Sequence, residues 1–420
     1  MILAASAVRP ARGLCLVVTA VGGLVFVVLA AWLVPWHWVP GGHYTHVAAN
    51  DVFTPAQIRS GAHYSSMQRH LGWAAYAVSL VVLLVLGLTS LGRRLVDRLP
   101  GPWWVRTPLA VAAVLVIGDL ATLWFGIREQ QHALAYGLSN QAWSGWWSDL
   151  GLGFAVNWVG TSIALLVLVG IARRAPRRWP VIVAVLAAGL AVLGSFVYPV
   201  LVQPLFNDFT SLPKGELRAD IMRLARVEHV RIDDVLVADA SKRTTTLNAY
   251  VSGFGSTRRV VIYDNTVRDL PRRQVLVVVA HELGHAHHRD VLLGTALGAA
   301  GGIAGVGLLG LALGSGWIRR RSGAGSPGEA HVVPLVLALA AVATFLVSPI
   351  ENTISRAIEA RADRASIEAT HDYAAFTDVQ RRLATSSLAD PTPPRLSQFW
   401  FGTHPTALQR VGIADALRDR

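Results

Sequence analysis

Seven long apolar segments constrain the fold of this chain more than any other feature of its sequence. A helix that crosses a lipid bilayer needs about 20 predominantly apolar residues, and seven segments meet that requirement. They are residues 14–34, 73–91, 108–127, 152–172, 181–202, 291–313 and 332–350. Charged residues make up only 15% of the 420 residues, whereas soluble proteins have about 25%. The sequence therefore predicts a mainly α-helical, multi-pass protein of the cell membrane with about seven transmembrane helices.

The arginines indicate how the seven spans lie in the bilayer. With these spans, the arginine clusters all fall at one end of the helical bundle, which explains the net charge of +12 without nucleic acid as a partner. The clusters are Arg9 and Arg12; Arg93, Arg94 and Arg98; Arg173, Arg174, Arg177 and Arg178; and Arg319, Arg320 and Arg321. Such clusters contact anionic lipid and mark the cytoplasmic face. This rule places the N-terminus in the cytoplasm and residues 203–290 on the opposite side.

A His-Glu-x-x-His motif lies at residues 281–285, a few residues before the sixth span. Residues four apart lie on one face of a helix, so His281 and His285 can present two imidazoles to one metal ion. Glu282 is then placed to act as general base toward a water molecule at that metal. Two solvated histidines on a surface helix are the alternative interpretation. The apolar residues 275–280 argue against it, because burial of unpartnered polar groups is costly.

A third ligand is expected, since a catalytic zinc ion usually takes three protein ligands and keeps a fourth position open. Glu359 and Asp363 lie four apart on a polar helix that follows the seventh span. Glu359 can ligate the metal, and Asp363 can orient a ligating histidine from behind. A helical salt-bridge ladder with neighbouring arginines fits the same spacing (Arg356, Arg361 and Arg364). Both helices adjoin membrane spans, which brings them to one level and favours ligation.

These residues, together with several further segments, resemble the CAAX prenyl protease 1 family of membrane zinc metalloproteases, which is related to the heat-shock membrane protease HtpX. The similar segments are distributed over more than half of the chain. They are Tyr136-Gly137-Leu138-Ser139, Pro204-Leu205-Phe206-Asn207, Asn248-Ala249-Tyr250, Arg259-Val260-Val261-Ile262-Tyr263-Asp264, Ser355-Arg356 with Glu359 and Ala362-Asp363, and Thr403-His404-Pro405 with Arg410. The resemblance implies a zinc endopeptidase with one Zn²⁺ ion per chain and a membrane-associated peptide or protein as its substrate.

The resemblance also assigns roles to matched residues around the metal. His281, His285 and Glu359 would hold the zinc ion, with Asp363 behind them. Glu282 would activate the attacking water.

The substrate-binding roles come from the resemblance as well. His404 would steady the oxyanion, and a donor near a developing charge is a large catalytic factor. Asn248 and Tyr250 belong to the region that would bind the substrate backbone along an exposed strand edge. From the residues alone, His404 also fits a helix start before Pro405, and Asn248 also fits a polar turn between strands.

The domain organisation follows from the spans and the motifs. We expect four parts: residues 1–202 as a bundle of five spans, 203–290 as the lobe with the His-Glu-x-x-His motif, 291–350 as two spans joined by a basic loop, and 351–420 as the third-ligand helix and a C-terminal catalytic segment. Residues 203–290 should form a small α+β lobe with short strands at 235–237 and 259–263. We expect a helix from Pro213 to about Ala225, a motif helix that continues into the sixth span, and a last short helix after Pro405.

Some features depart from the family pattern and leave alternatives open. Asp290 stands where the prenyl proteases more often have a histidine. In this respect the residues after the His-Glu-x-x-His motif are more similar to those of the heat-shock relative. The arginine topology also disagrees with the cytosol-facing catalytic lobe that is usual in the family. A quality-control protease for misfolded membrane proteins would use the same residues on another substrate. A non-catalytic scaffold with a vestigial zinc site and a transporter are further classes, although a transporter would need ionisable residues within its spans, of which Asp119 is the clearest.

Overall fold

The computed structural model describes residues 11–37, 44–253 and 255–418. Seven helices in these ranges are long and apolar enough to cross a membrane, which confirms the predicted number of spans. They are α1 (Arg12–Leu33), α3 (Pro55–Leu88), α5 (Trp103–Ala135), α6 (Trp143–Arg174), α7 (Trp179–Val197), α11 (Asp290–Gly314) and α13 (Val333–Thr370). Shorter helices are α2 (Ala49–Val52), α4 (Ser90–Asp97) and α12 (Gly316–Ser322). The predicted fifth span ends on a π-helical turn, Tyr198–Val202.

Small residues allow the first and sixth spans to pack closely. A Cβ atom added at Gly22 of α1 would lie 2.4 Å from the backbone nitrogen of Ala304 in α11. A Cβ atom added at Gly307 of α11 would lie 2.6 Å from the backbone nitrogen of Thr19. Lipid tails are as apolar as leucine, so helices in a bilayer associate through such close van der Waals packing.

The described arginine clusters do meet at one end of the bundle. The Arg173 guanidinium donates to the Gly328 carbonyl oxygen at 2.9 Å in the loop before α13. The backbone nitrogen of Ala11 donates to the Arg177 carbonyl oxygen at 3.3 Å. Gly323, which ends α12, packs on the Arg93 side chain. Arg9 lies outside the described residues.

At the other end of the bundle, four strands form a small mixed sheet in the order β1-β2-β4-β3. The strands are β1 (Phe209–Ser211), β2 (Asp234–Ala238), β3 (Ala249–Ser252) and β4 (Arg259–Tyr263). β2 and β4 are parallel and lie at the predicted positions. β1 and β3 pair antiparallel on the outside; β1 was not predicted, whereas β3 lies in the region where the resemblance implied a substrate-binding strand edge. β3 therefore lies at one edge of the sheet.

Six further helices in the described ranges complete the lobe. They are α8 (Glu216–Val227), α9 (Asp264–Asp269), α10 (Arg272–His287), α14 (Tyr373–Ser386), α15 (Arg395–Phe401) and α16 (Ala407–Arg418). Among them, α8 and α10 pack against the sheet. The side chains of Ile221, Val235, Ile262 and Leu283 form a buried core between the sheet, α8 and α10. The prediction that a helix begins at Pro213 is wrong, because the Leu212 backbone nitrogen still donates to Val235 O at 2.8 Å and the chain must then turn before α8.

The prediction that the motif helix continues into the sixth span is also wrong. α10 ends at His287, and Arg289 adopts a left-handed backbone with φ 58° before α11 begins at Asp290. In a continuous helix, residues five apart point about 140° away from each other. The break instead brings Asp290 back toward the motif. The seventh span and the third-ligand helix, by contrast, are one unbroken helix, α13.

Candidate active site

Two helices bring together the three predicted ligands. α10 carries His281 and His285, and α13 carries Glu359. The Nε2 atoms of the two histidines are 3.2 Å apart. Glu359 Oε2 lies 3.2 Å from His281 Nε2, and Glu359 Oε1 lies 3.5 Å from His285 Nε2. The Glu359 carboxylate thus faces both imidazoles, and one nitrogen or oxygen of each residue lies within 4.8 Å of the other two.

A metal ion fits between these three residues. In a tetrahedral site with ligand bonds of about 2.0–2.1 Å, ligand atoms are about 3.3–3.4 Å apart, which matches the distances between the three residues. Glu359 Oε2 is buried and has no hydrogen-bond partner within the described residues. Such a group is costly unless something coordinates it. Two imidazole nitrogens and one carboxylate are also the donor set of hydrolytic zinc sites.

Gly284 allows α10 and α13 to approach each other beside the ligands. A Cβ atom added at Gly284 would lie 3.0 Å from the Cβ atom of Ala365. A larger side chain would push α13 away and move Glu359 relative to the two histidines. The glycine in the middle of the motif helix is therefore explained by close packing.

Asp363 lies directly behind His281. Asp363 Oδ1 is 3.0 Å from His281 Nδ1, and the Asp363 side chain is fully buried. A carboxylate at Nδ1 holds the proton there, which leaves the Nε2 lone pair for the metal. Burial lowers the pKa of His281, but the neighbouring carboxylates of Asp363 and Glu359 outweigh burial and raise it to about 10.

Arg410 of α16 neutralises the buried Asp363. Its Nε atom donates to the two carboxylate oxygens of Asp363 at 2.9 Å and 3.1 Å. Burial lowers the pKa of the Arg410 guanidinium, but the charge of Asp363 outweighs burial and the pKa is raised. The C-terminal helix thus contributes to the metal site through this pair.

Asp290 plays the same part for His285 and was assigned no role from the sequence. Asp290 Oδ2 lies 2.9 Å from His285 Nδ1, and the residue is buried. Arg361 of α13 forms an ion pair with the other oxygen of Asp290. The aspartate five residues after the second histidine was visible as a departure from the family pattern. What the sequence did not reveal is the helix break that turns it toward His285.

Glu282 lies in a cavity of about 460 Å³ that also contains the three ligands. Burial raises the pKa of the Glu282 carboxyl, and the nearby charges of His281 and His285 oppose that effect. A carboxylate with a raised pKa takes up a proton more readily than an ordinary glutamate, which suits a general base.

His404 lies at the open side of the same cavity. Its Nε2 atom is 3.3 Å from Glu359 Oε2, and its Nδ1 atom is 2.8 Å from the Thr403 hydroxyl. Burial lowers the pKa of His404, although the charge of Glu359 acts in the opposite direction. A neutral imidazole that accepts from Thr403 at Nδ1 carries its proton on Nε2 and can donate into the cavity.

The edge strand β3 forms another wall of the cavity. Of the two predicted substrate-binding residues, Tyr250 lies in β3 and Asn248 immediately precedes it. The Asn248 backbone is fixed by Thr266, whose hydroxyl accepts from Asn248 N at 2.8 Å. Burial, with smaller effects from Tyr263 and Tyr198, raises the pKa of Tyr250 to about 12, so its phenol stays neutral. An edge strand has unpaired backbone groups that an extended peptide can pair with.

Comparisons with known proteins agree with this architecture. Residues 45–208 match the family model described as CAAX prenyl protease N-terminal, five membrane helices, and residues 211–418 match Peptidase family M48. The uncharacterized metalloprotease YhfN of Bacillus subtilis is 28% identical over 374 residues, covering 86% of each chain. The crystal structure of Ste24p from S. mikatae superposes with a TM-score of 0.77 at 17% identity, covering 96% of this chain and 99% of that one.

Two prenyl proteases match over a shorter stretch. The CAAX prenyl protease 1 homolog of Arabidopsis thaliana is 40% identical over 97 residues, which is 23% of each chain. CAAX prenyl protease 1 of Saccharomyces cerevisiae is 38% identical over 95 residues, which is 22% of this chain and 21% of that protein. The fold and the site define a multi-pass membrane metalloendopeptidase. The chain belongs to peptidase family M48, and within it to the CAAX prenyl protease 1 family.

Proposed function

We propose that this protein uses one zinc ion, held by His281, His285 and Glu359, to hydrolyse peptide bonds of substrates at the membrane surface. The observation that carries the proposal is the convergence of the two imidazole Nε2 atoms and the Glu359 carboxylate, with distances of 3.2–3.5 Å between the nearest atoms of the three residues. One oxygen of this carboxylate is buried and has no hydrogen-bond partner within the described residues. When bound, zinc supplies the Lewis acidity that makes a water molecule nucleophilic at neutral pH.

Residues of the chain would carry out proton transfer, oxyanion stabilisation and substrate binding. Glu282 would accept a proton from the attacking water and return it to the nitrogen of the leaving amine, so that one peptide bond breaks and one water is consumed. His404 would donate a hydrogen bond to the oxygen that becomes negative during the attack. The edge of β3, with Asn248 and Tyr250, would hold the peptide extended.

The position of the site supports a membrane-associated substrate. The ligand helix α13 is continuous with the seventh span, and α11 starts three residues after His287. A peptide tethered to the bilayer therefore arrives at the level of the cavity. We propose a lipid-anchored C-terminal peptide as the substrate, since the matching relatives are prenyl proteases. An unfolded membrane segment is the competing substrate of a quality-control protease.

The substitution Glu282→Gln tests the mechanism. The purified variant should retain one zinc ion per chain and lose cleavage, because the amide cannot accept the proton. Glu368→Gln is a matched control at an exposed ion pair with Arg364 and should cleave as the wild type does. Full activity of Glu282→Gln, or protein without zinc, would overturn the proposal. Cleavage of a prenylated peptide compared with an unfolded membrane segment decides between the two substrates.

A further inference from the structure

Two arginines of the catalytic cavity have no acidic partner within the described residues. Arg258 and Arg289 both line the cavity, and neither forms an ion pair there. The arginines around the metal ligands are arranged differently, since Arg361 is paired with Asp290 and Arg410 with Asp363. Arg258 and Arg289 therefore add positive charge to the cavity that the protein itself does not neutralise.

Arg258 lies at the C-terminal end of the edge strand. The register pairs Ser252, the last residue of β3, with Arg259, so Arg258 lies just beyond that end of the strand. The backbones of Gly253 and Arg258 lie close together, because a Cβ atom at Gly253, which has φ 87°, would lie 3.3 Å from the Arg258 Cα atom. The Arg258 carbonyl oxygen accepts from Asp233 N at 2.7 Å, which fixes its backbone.

Arg289 lies at the helix break, four residues after the ligand His285. Its left-handed backbone, with φ 58°, is one that glycine or asparagine adopts at a helix end with less strain. The helix break therefore does not explain why an arginine occupies this position. Its side chain is exposed at the cavity, where a substrate group can reach it.

A guanidinium is suited to bind a carboxylate through two parallel hydrogen bonds. The cavity already contains an edge strand on which a peptide can lie, and an extended peptide advances about 3.3 Å per residue. The segment from Asn248 to Gly253 is therefore about 17 Å long. A carboxylate within about five residues of the cleaved bond can reach this end of the groove.

We propose that Arg258 and Arg289 bind a carboxylate of the peptide substrate and thereby select peptides with a negative charge close to the cleavage site. This inference rests on the proposed function. The carboxylate can be the C-terminus of the peptide or an acidic side chain, and both offer the same chemistry to the two guanidinium groups.

Three matched peptides test this specificity in nanodiscs of neutral phosphatidylcholine. One has a free C-terminal carboxylate, one has a C-terminal amide, and one has the amide with an aspartate as its last residue. The wild type should favour the free acid over the plain amide by about tenfold or more in kcat/KM, mainly through KM, which is the size expected for a hydrogen-bonded charge. The aspartate peptide shows whether a side-chain carboxylate replaces the terminal one.

Arg258→Gln, Arg289→Gln and the double variant should reduce this acid-to-amide ratio toward one, and Arg258→Lys should restore part of it. Arg259→Gln is the matched control, since Arg259 is the neighbouring residue, lines a separate cavity and lies 4.0 Å from Asp233. Equal cleavage of acid and amide by the wild type, or an equal loss on both in the arginine variants, would overturn the proposal.

Binding to the Glu282→Gln variant separates this proposal from the proposed function. If that variant binds the acid more tightly than the amide and the preference disappears with Arg258→Gln, carboxylate recognition holds whether or not peptide cleavage is observed. Equal affinities for both peptides would overturn it even if the wild type is an active protease. An effect of the arginine variants confined to nanodiscs with anionic lipid would assign the two arginines to lipid headgroups and would also overturn it.

Discussion

The His285 Nδ1 atom lies 2.9 Å from Asp290 Oδ2, across the break between α10 and α11. His281 has the equivalent contact with Asp363, at 3.0 Å. Each ligand histidine therefore has a buried carboxylate at Nδ1, and each carboxylate is paired with an arginine from another helix. This arrangement orients both imidazoles before a metal binds, so the two side chains lose less conformational freedom on metal binding.

Asp290→Asn should weaken zinc binding by about 10–100-fold, the usual effect of losing a carboxylate behind a ligand histidine. The neutral amide is a weaker hydrogen-bond acceptor for the Nδ1 proton of His285 than the carboxylate, and Arg361 loses its ion pair. Competition with a chelator of known affinity measures the change. Asp233→Asn removes a carboxylate that is 59% exposed and should leave zinc affinity unchanged. Wild-type affinity in Asp290→Asn would contradict this role.

Arg410→Met should destabilise the fold as well as the metal site. It leaves the carboxylate of Asp363 buried and unpaired, and breaking a buried ion pair in this way costs about 3–5 kcal/mol. The expected result is a lower midpoint of thermal unfolding in detergent. The double variant Arg410→Met, Asp363→Asn should recover part of that loss without recovering zinc affinity. Arg418→Gln, at a largely exposed residue of the same helix, serves as the control. An unchanged midpoint in Arg410→Met would contradict the prediction.

The spans and the three candidate metal ligands could be proposed from the sequence because each depends on a local rule. Span length is fixed by bilayer thickness, and the spacing of His281, His285 and Glu359 on their helices is fixed by the helical period. The helix break at Arg289 had no such signal, because neither glycine nor proline stands there. The sequence therefore concealed the contact between Asp290 and His285.

Contacts between residues far apart in the chain could likewise not be predicted from the sequence. Arg410 is 47 residues from its partner Asp363, and no local pattern connects them. The region of strand β3 was indicated by the family resemblance and not by a local pattern, since the strand is only four residues long and gains its pairing from β4. The helix expected from Pro213 begins only at Glu216, because Leu212 still pairs with β2 through a long-range hydrogen bond that no local pattern indicates.

Gly284→Val should separate the two metal-binding helices. A Cβ atom at this position already lies 3.0 Å from the Ala365 Cβ atom, and the additional methyl groups of valine cannot fit without moving α13. Overpacking of this kind costs about 1–3 kcal/mol, and the displacement of Glu359 should lower zinc affinity as well. Thermal unfolding and chelator competition measure the two effects. Gly189→Val, at a position in α7 with open space, should change neither. Normal zinc affinity in Gly284→Val would show that the close approach is not required.

Labelling of single cysteines should place the catalytic lobe outside the cytoplasm. The described arginine clusters lie at the end of the bundle opposite the lobe, and short arginine-rich loops remain on the cytoplasmic side. Cys15 is the only cysteine of the chain and is buried, so Cys15→Ser provides the background. In intact cells, a membrane-impermeant maleimide should label Lys214→Cys in the lobe. It should label Arg320→Cys, in α12, only after the membrane is permeabilised. The reverse pattern would place the zinc site in the cytoplasm, and the basic loops would then be held on the outer side against their charge.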